Sequence, residues 1–159
     1  MVQYPPSQNV NNGGLPGHGG TPGEPRRLLV IDDDASICAI IAKLGEKAGL
    51  VATIAASVED ATQALRAHRF DCITLDLTIG KNSGIELLRV LGEMACKTPV
   101  IVISGSMPSM RDLAAAVGNM MHLNILPPVP KPIDFTLLRT TLAGVVDKLE
   151  PLRRITPAA

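Results

Sequence analysis

Five short apolar runs alternate with five helical patterns along this chain, and that alternation restricts the fold more than any other feature. The runs are RLLVI (27–31), VATIA (51–55), CITL (72–75), PVIVI (99–103) and LNIL (123–126). Each has the length of a strand and is apolar enough to be covered on both faces. Between and after them, apolar residues recur at helical spacing. Ile37, Ile40, Ile41 and Leu44 form the first stripe, and Val58, Ala61 and Leu65 the second. Ile85, Leu88 and Leu91 form the third, Met110, Leu113, Ala114, Val117 and Met121 the fourth. Leu138, Leu142, Val145 and Leu149 close the series. Asp34, Ser57 with Asp60, and Asp134 stand where helix caps belong, and Gly49 where the first helix should stop. Repeated strand–helix units with short connections specify a parallel sheet with helices on both faces. The expectation is an α/β, flavodoxin-like, doubly wound (βα)5 sheet with strand order 2-1-3-4-5.

The domain should run over residues 26–150. Residues 1–25 are rich in Gly, Pro and Asn and lack periodicity, so they read as a disordered tail. Residues 151–159, opening on Pro151, read as a second tail. Lys+Arg and Asp+Glu both number 15. That balance disfavours a general nucleic-acid binder, whose affinity rests on neutralising phosphates, and an electrostatic membrane anchor. Neither a signal peptide nor a membrane-length apolar run is present, so a cytoplasmic location is expected. Cys38, Cys72 and Cys96 are odd in number and widely spaced, which suits small hydrophobes in a reducing compartment. His68 and His122 lack metal-ligand spacing. Met107, Met110, Met120 and Met121 read as core or helix packing, with a Met-rich partner surface as the alternative.

The polar residues fall just past the strands. Asp32, Asp33 and Asp34 follow the first, Asp76 the third, Ser104 the fourth and Lys131 the fifth. Ligands of such sheets bind beyond the carboxyl ends of the strands, at the switch point. With order 2-1-3-4-5, Asp32, Asp33 and Asp76 converge there. Two carboxylates about 5 Å apart at an effective dielectric near 20 repel by roughly 3 kcal/mol. Protons or a cation must offset that. Carboxylate oxygens with a backbone carbonyl suit Mg2+. With a hydroxyl and a lysine added, the set fits phosphoryl chemistry. Taken alone, DDD also fits a solvated turn with a helix cap, and Asp76, Ser104-Gly105 and Lys131 fit ordinary turn and surface positions.

In this order, LLVIDDD, ITLDLTIGKNSGIELL, PVIVISG and the KP at 131–132 resemble the receiver domain of two-component response regulators. The resemblance covers roughly residues 26–150. It implies a phosphoacceptor, Asp76, that takes a phosphoryl group from a histidine kinase or a histidine phosphotransfer protein. Asp33 and Asp76 would ligate Mg2+ directly, Asp32 through water, and Thr78 through its backbone carbonyl. Ser104 and Lys131 would bind phosphoryl oxygens. Gly84 matches the family's glycine after the acceptor loop, and Thr78 and Ser106 occupy positions that tune phosphoryl hydrolysis. Asp34 is left as a helix cap. Output would be a population shift at the surface of helix 4, strand 5 and helix 5, read by a protein partner; homodimers through helices 4 and 5 are common in the family. The expectation is a stand-alone signalling protein without catalytic turnover of an external substrate.

Two departures stand out. Ile79-Gly80 replaces the usual Met-Pro, which loosens the acceptor loop. Ser104 and Lys131 are 27 positions apart, more than usual, and Pro128 occupies the place of the aromatic switch residue. Proline cannot donate to a ladder, so the fifth strand should be short or an edge. Lys131-Pro132 is a candidate cis bond. Three rivals remain. A degenerate receiver acting only in docking keeps the fold without the chemistry. A haloacid-dehalogenase-type phosphatase shares the aspartyl nucleophile, but there the nucleophile follows the first strand. A flavodoxin-like carrier would place a phosphate where three carboxylates repel it.

Overall fold

The computed structural model describes residues 23–79, 84–105 and 108–155. The tail predicted over residues 1–25 lies almost wholly outside them, as do Gly80, Ser106 and Met107. Five units follow one another: β1 (Arg26–Ile31), α1 (Ala35–Lys47), β2 (Leu50–Ala55), α2 (Val58–Ala67), β3 (Cys72–Asp76), α3 (Gly84–Glu93), β4 (Val100–Ser104), α4 (Pro108–Met120), β5 (Ile125–Pro130) and α5 (Phe135–Ile155). All strand pairs are parallel and the order is β2-β1-β3-β4-β5.

The three central strands explain the continuous apolar runs. All residues of β3 and β4 are buried, because helices cover both faces. Leu28, Val30, Cys72, Ile101 and Ile103 pack with Cys38 and Ile41 of α1 and Leu138, Leu142 and Val145 of α5. Leu29, Ile31, Ile73, Leu75, Val100 and Val102 form the opposite core with Ala61 of α2, Leu87, Leu88 and Leu91 of α3 and Ala114 of α4. Each aliphatic side chain fully removed from water contributes about 1.5–3 kcal/mol. These two layers therefore fix the register that brings the strand ends level.

The caps act as the residue types predict. Asp34 accepts from the amides of Ser36 and Ile37, and Ser57 accepts from that of Asp60. Gly49, at φ +88°, turns the chain after α1 in the left-handed region that glycine tolerates.

Three expectations need correction. The fifth strand is not LNIL but Ile125–Pro130, so it contains Pro127, Pro128 and Pro130. It lies at the sheet edge, where a missing N–H costs a ladder bond on one side only. Between Ile101 and Ile103 of β4, β5 advances from Leu126 to Val129, a bulge that sets Pro127 and Pro128 opposite Val102.

The segment from Pro151 is not a structureless tail throughout, since α5 continues through Pro151 to Ile155. The carbonyl that loses its donor there belongs to Asp147, an exposed residue that water can reach. Just before the proline, buried Arg26 donates to the Val146 carbonyl at 3.1 Å and pairs with Glu150 at 2.6 Å. That clasp between the start of β1 and the end of α5 carries the helix to the proline.

The methionine and leucine pattern of α4 is only partly core. Ala114 and Gly118 are buried, whereas Leu113 is 48% and Met120 79% exposed. The small residues face the sheet because α4 lies close to it.

Candidate functional site

Three adjacent carboxylates would crowd one strand end if they shared a direction, and they do not. Asp32 is buried and held by backbone contacts. Its amide donates to the Ala55 carbonyl at 3.2 Å, and its Oδ1 accepts from the Asp34 amide at 2.9 Å. Asp34 turns to cap α1. Asp33 is exposed, yet a carboxylate oxygen of Asp32, Asp33 and Asp76 can be chosen from each so that all lie within 4.8 Å.

Asp76 ends β3, buried, one sheet position from Ile103. Its two oxygens have separate partners. Oδ1 accepts from the amide of Thr78 at 3.0 Å and from its hydroxyl at 2.9 Å. Oδ2 meets the Lys131 ammonium at 3.1 Å, and the same ammonium lies 3.3 Å from Asp32 Oδ2. Lys131 is fixed where β5 ends: its amide donates to the Ser104 carbonyl at 3.2 Å, and the Lys131-Pro132 peptide is cis. Buried Ser104 thus sits at the end of β4, beside the backbone that carries Lys131.

Gly84 closes the other side. Its amide donates to the Leu77 carbonyl at 2.8 Å. A Cβ there would lie 2.7 Å from the Asp76 carbonyl oxygen and 2.7 Å from Leu77 Cα. Only glycine lets α3 begin against the backbone of the acceptor residue.

The electrostatics follow from one ammonium set between two buried carboxylates, with a third carboxylate, that of Asp33, beside them. Burial raises the pKa of Asp32 above its ordinary value and the Asp76 charge adds to this, while the Asp34 amide and Lys131 oppose it. Burial works against charge on Lys131, but the hydrogen bonds and charges of Asp76 and Asp32 outweigh it and hold its pKa above the ordinary value. The lysine therefore stays cationic and does not neutralise the cluster alone. Hard oxygen donors, an excess of negative charge and one exposed carboxylate fit an octahedral Mg2+ that keeps several waters. Two contacts could not be read from residue types. The Cys38 thiol donates to the Asp32 carbonyl at 3.2 Å, although cysteine at an apolar helix position signals only packing. The Thr78 hydroxyl, expected only in a tuning position, is bound to the central carboxylate.

The fold and this cluster define a class. A family model described as the response regulator receiver domain matches residues 28–143, and the chain belongs to that family. It is 28% identical over 131 residues to the transcriptional regulatory protein ZraR of Escherichia coli K12, covering 82% of this chain and 29% of that protein. It is 33% identical over 76 residues to the heme response regulator HssR of Staphylococcus saprophyticus, covering 48% of this chain and 34% of that one. The chain spans well under two thirds of the length of these relatives. Among solved structures, a CheY-like response regulator receiver domain protein from Methanospirillum hungatei superposes with TM-score 0.69 at 19% identity, over 81% of this chain and 99% of that one. The Francisella response regulator 1452 receiver domain gives 0.66 at 23%, over 79% and 98%. These structures share the fold.

Proposed function

We propose that this domain accepts a phosphoryl group on Asp76 from a histidine kinase or histidine phosphotransfer protein and signals by altered protein contacts. The observation that carries this reading is the position of Asp76, with Lys131 on one oxygen, Thr78 on the other and Asp32 and Asp33 within ligand distance. In the transfer, a carboxylate oxygen of Asp76 bonds to phosphorus as the phosphorus–nitrogen bond of phosphohistidine breaks. The electron pair leaves with the imidazole. Lys131 and Ser104 would meet phosphoryl oxygens, and Lys131 would follow the charge as it moves off Asp76 Oδ2. Asp32, Asp33, Asp76 and the Thr78 carbonyl would hold Mg2+. When bound, it supplies charge neutralisation at the phosphoryl oxygens.

Gly84 and Thr78 fix the geometry of the acceptor, and Ser106 is assigned to tuning hydrolysis. The domain is proposed to act on its own carboxylate and not to turn over an external substrate. No helix among the described residues is long and apolar enough to cross a membrane, which accords with a cytoplasmic site of action. The downstream partner is proposed to be a protein, with a second copy of the domain as one form of it.

The test is phosphorylation by a small-molecule donor with Mg2+, read by intact mass. Wild type should gain one phosphoryl group and Asp76→Asn none. Equal labelling would overturn Asp76 as the acceptor. Labelling of neither would leave the docking reading. Turnover of a phosphomonoester by wild type alone would favour the phosphatase.

A further inference from the structure

The two edges of the sheet are built in opposite ways. β5 carries Pro127, Pro128 and Pro130, which withhold the N–H groups that a further strand would need. β2, at the other edge, has no proline, glycine or charged residue between Leu50 and Ala55. Its exposed side chains are aliphatic: Val51 is 55% and Ile54 53% exposed. Edge strands of this kind are normally blunted by a charge, a proline or a cover.

One bond gives the direction of the unused backbone groups. The Ala55 carbonyl accepts from the Asp32 amide, just past β1. Backbone groups alternate sides along a strand, so those of Thr53 also point to β1, and those of Ala52 and Ile54 point away from the sheet. Side chains alternate between the two faces. Leu50 and Ala52 pack in the core under α1 and α5, and Ala55 packs in the core under α2 and α3. Ile54 therefore lies on the first face and Val51 on the second.

These positions complement a second copy of themselves. With a two-fold axis through Thr53, normal to the sheet, two β2 strands run antiparallel. Ala52 of each copy then faces Ile54 of the other, in pairs that exchange both backbone hydrogen bonds. Each large exposed side chain meets a small one, since Ile54 covers Ala52 and Val51 covers Ala55. Thr53 meets its own copy as a β-branched cross-strand pair, and no like charges are brought together. Residues 1–22, the chain's own alternative for this edge, are rich in proline and glycine, which pair poorly in ladders.

We propose that the outer edge of β2 joins a second copy of this chain, antiparallel about Thr53, into one continuous sheet. The proline-bearing β5 edges then lie outermost, so assembly closes at the dimer and does not run on into a filament. The acceptor ends of the two sheets point in opposite directions. The contact does not rest on phosphoryl acceptance at Asp76.

Sedimentation equilibrium of the full chain without a phosphodonor, over a wide range of protein concentration, should show monomer and dimer. Ala52→Pro removes an outward N–H that the fold does not use, and Ile54→Lys places a charge at the joint. Each should shift the chain to monomer, and circular dichroism checks that each folds. Leu113→Glu, at an exposed position of α4, should leave the dimer intact. Cross-linking reads the register. Thr53→Cys with oxidised glutathione should give a disulfide-linked dimer, because a non-hydrogen-bonded pair holds its Cα atoms about 4.5 Å apart. Ile54→Cys and wild type should not. The proposal is overturned by a monomer at every concentration, by a dimer that Ala52→Pro and Ile54→Lys leave undiminished, or by a dimer lost in Leu113→Glu alone. Assembly beyond the dimer, or equal cross-linking of the two cysteine variants, would also overturn it.

Discussion

Thr78 binds one oxygen of Asp76 twice, through its amide at 3.0 Å and its hydroxyl at 2.9 Å, and leaves the other oxygen to Lys131. The hydroxyl competes with any cation that draws on the same carboxylate. Thr78→Val removes that donor and keeps the side-chain shape. Losing a hydrogen bond of about 1 kcal/mol should tighten Mg2+ binding about fivefold. Titration calorimetry of the two proteins measures it, and unchanged or weaker binding would show that the hydroxyl does not compete.

The crowded carboxylates predict a linkage between metal and stability. With Mg2+ at ten times its dissociation constant, wild type should gain about 1.4 kcal/mol over its state in chelator. Asp33→Asn should be more stable than wild type in chelator, because it relieves repulsion, and should gain less from Mg2+. Urea unfolding with and without Mg2+ gives both comparisons. A larger Mg2+ gain in the variant would exclude Asp33 from the metal site.

Gly84→Ala tests the close approach of α3. The atoms a methyl group meets at 2.7 Å are backbone, and backbone cannot swing aside as a side-chain tip can. Destabilisation of about 1–3 kcal/mol is expected, with slower phosphorylation because Asp76 is displaced. Gly144→Ala, where an added Cβ meets nothing within 4 Å, is the control and should be neutral or slightly stabilising.

Burial pushes the Cys72 thiol up to about 12 from an ordinary value of 9.0. The folded state keeps its proton while the unfolded chain loses it. Stability from this group is thus complete below pH 9 and falls through the interval up to 12, by about 1.4 kcal/mol per pH unit. The slope of unfolding free energy against pH, compared between wild type and Cys72→Ala, isolates the effect. Parallel slopes above pH 9 would refute it.

The central sheet was legible because its strands are covered on both faces and read as unbroken apolar runs. The strand ends were legible for a related reason: Asp32, Asp76, Ser104 and Lys131 interrupt those runs where a buried sheet gives way to solvent. β5 was misplaced because proline is penalised as a strand former without regard to edge position. Leu113 and Met120 were assigned to packing because periodicity finds a stripe but cannot say how near α4 lies to the sheet, and Ala114 and Gly118 set that distance. The Cys38 contact left no trace in sequence, since a thiol used as a donor and one used as a methyl are the same letter. The clasp of Arg26 on α5 joins residues 124 positions apart, beyond any local pattern.

That clasp has a practical consequence. Arg26 opens β1 while Asp32 lies just past its far end, about 20 Å away at the usual strand rise. Reporter proteins attached before Arg26 and after Glu150 would emerge side by side, on the end of the sheet remote from the acceptor. Such a pair would give strong energy transfer that stays blind to phosphorylation. A useful optical sensor would instead place one fluorophore at this end and the other on α4, across the sheet from it.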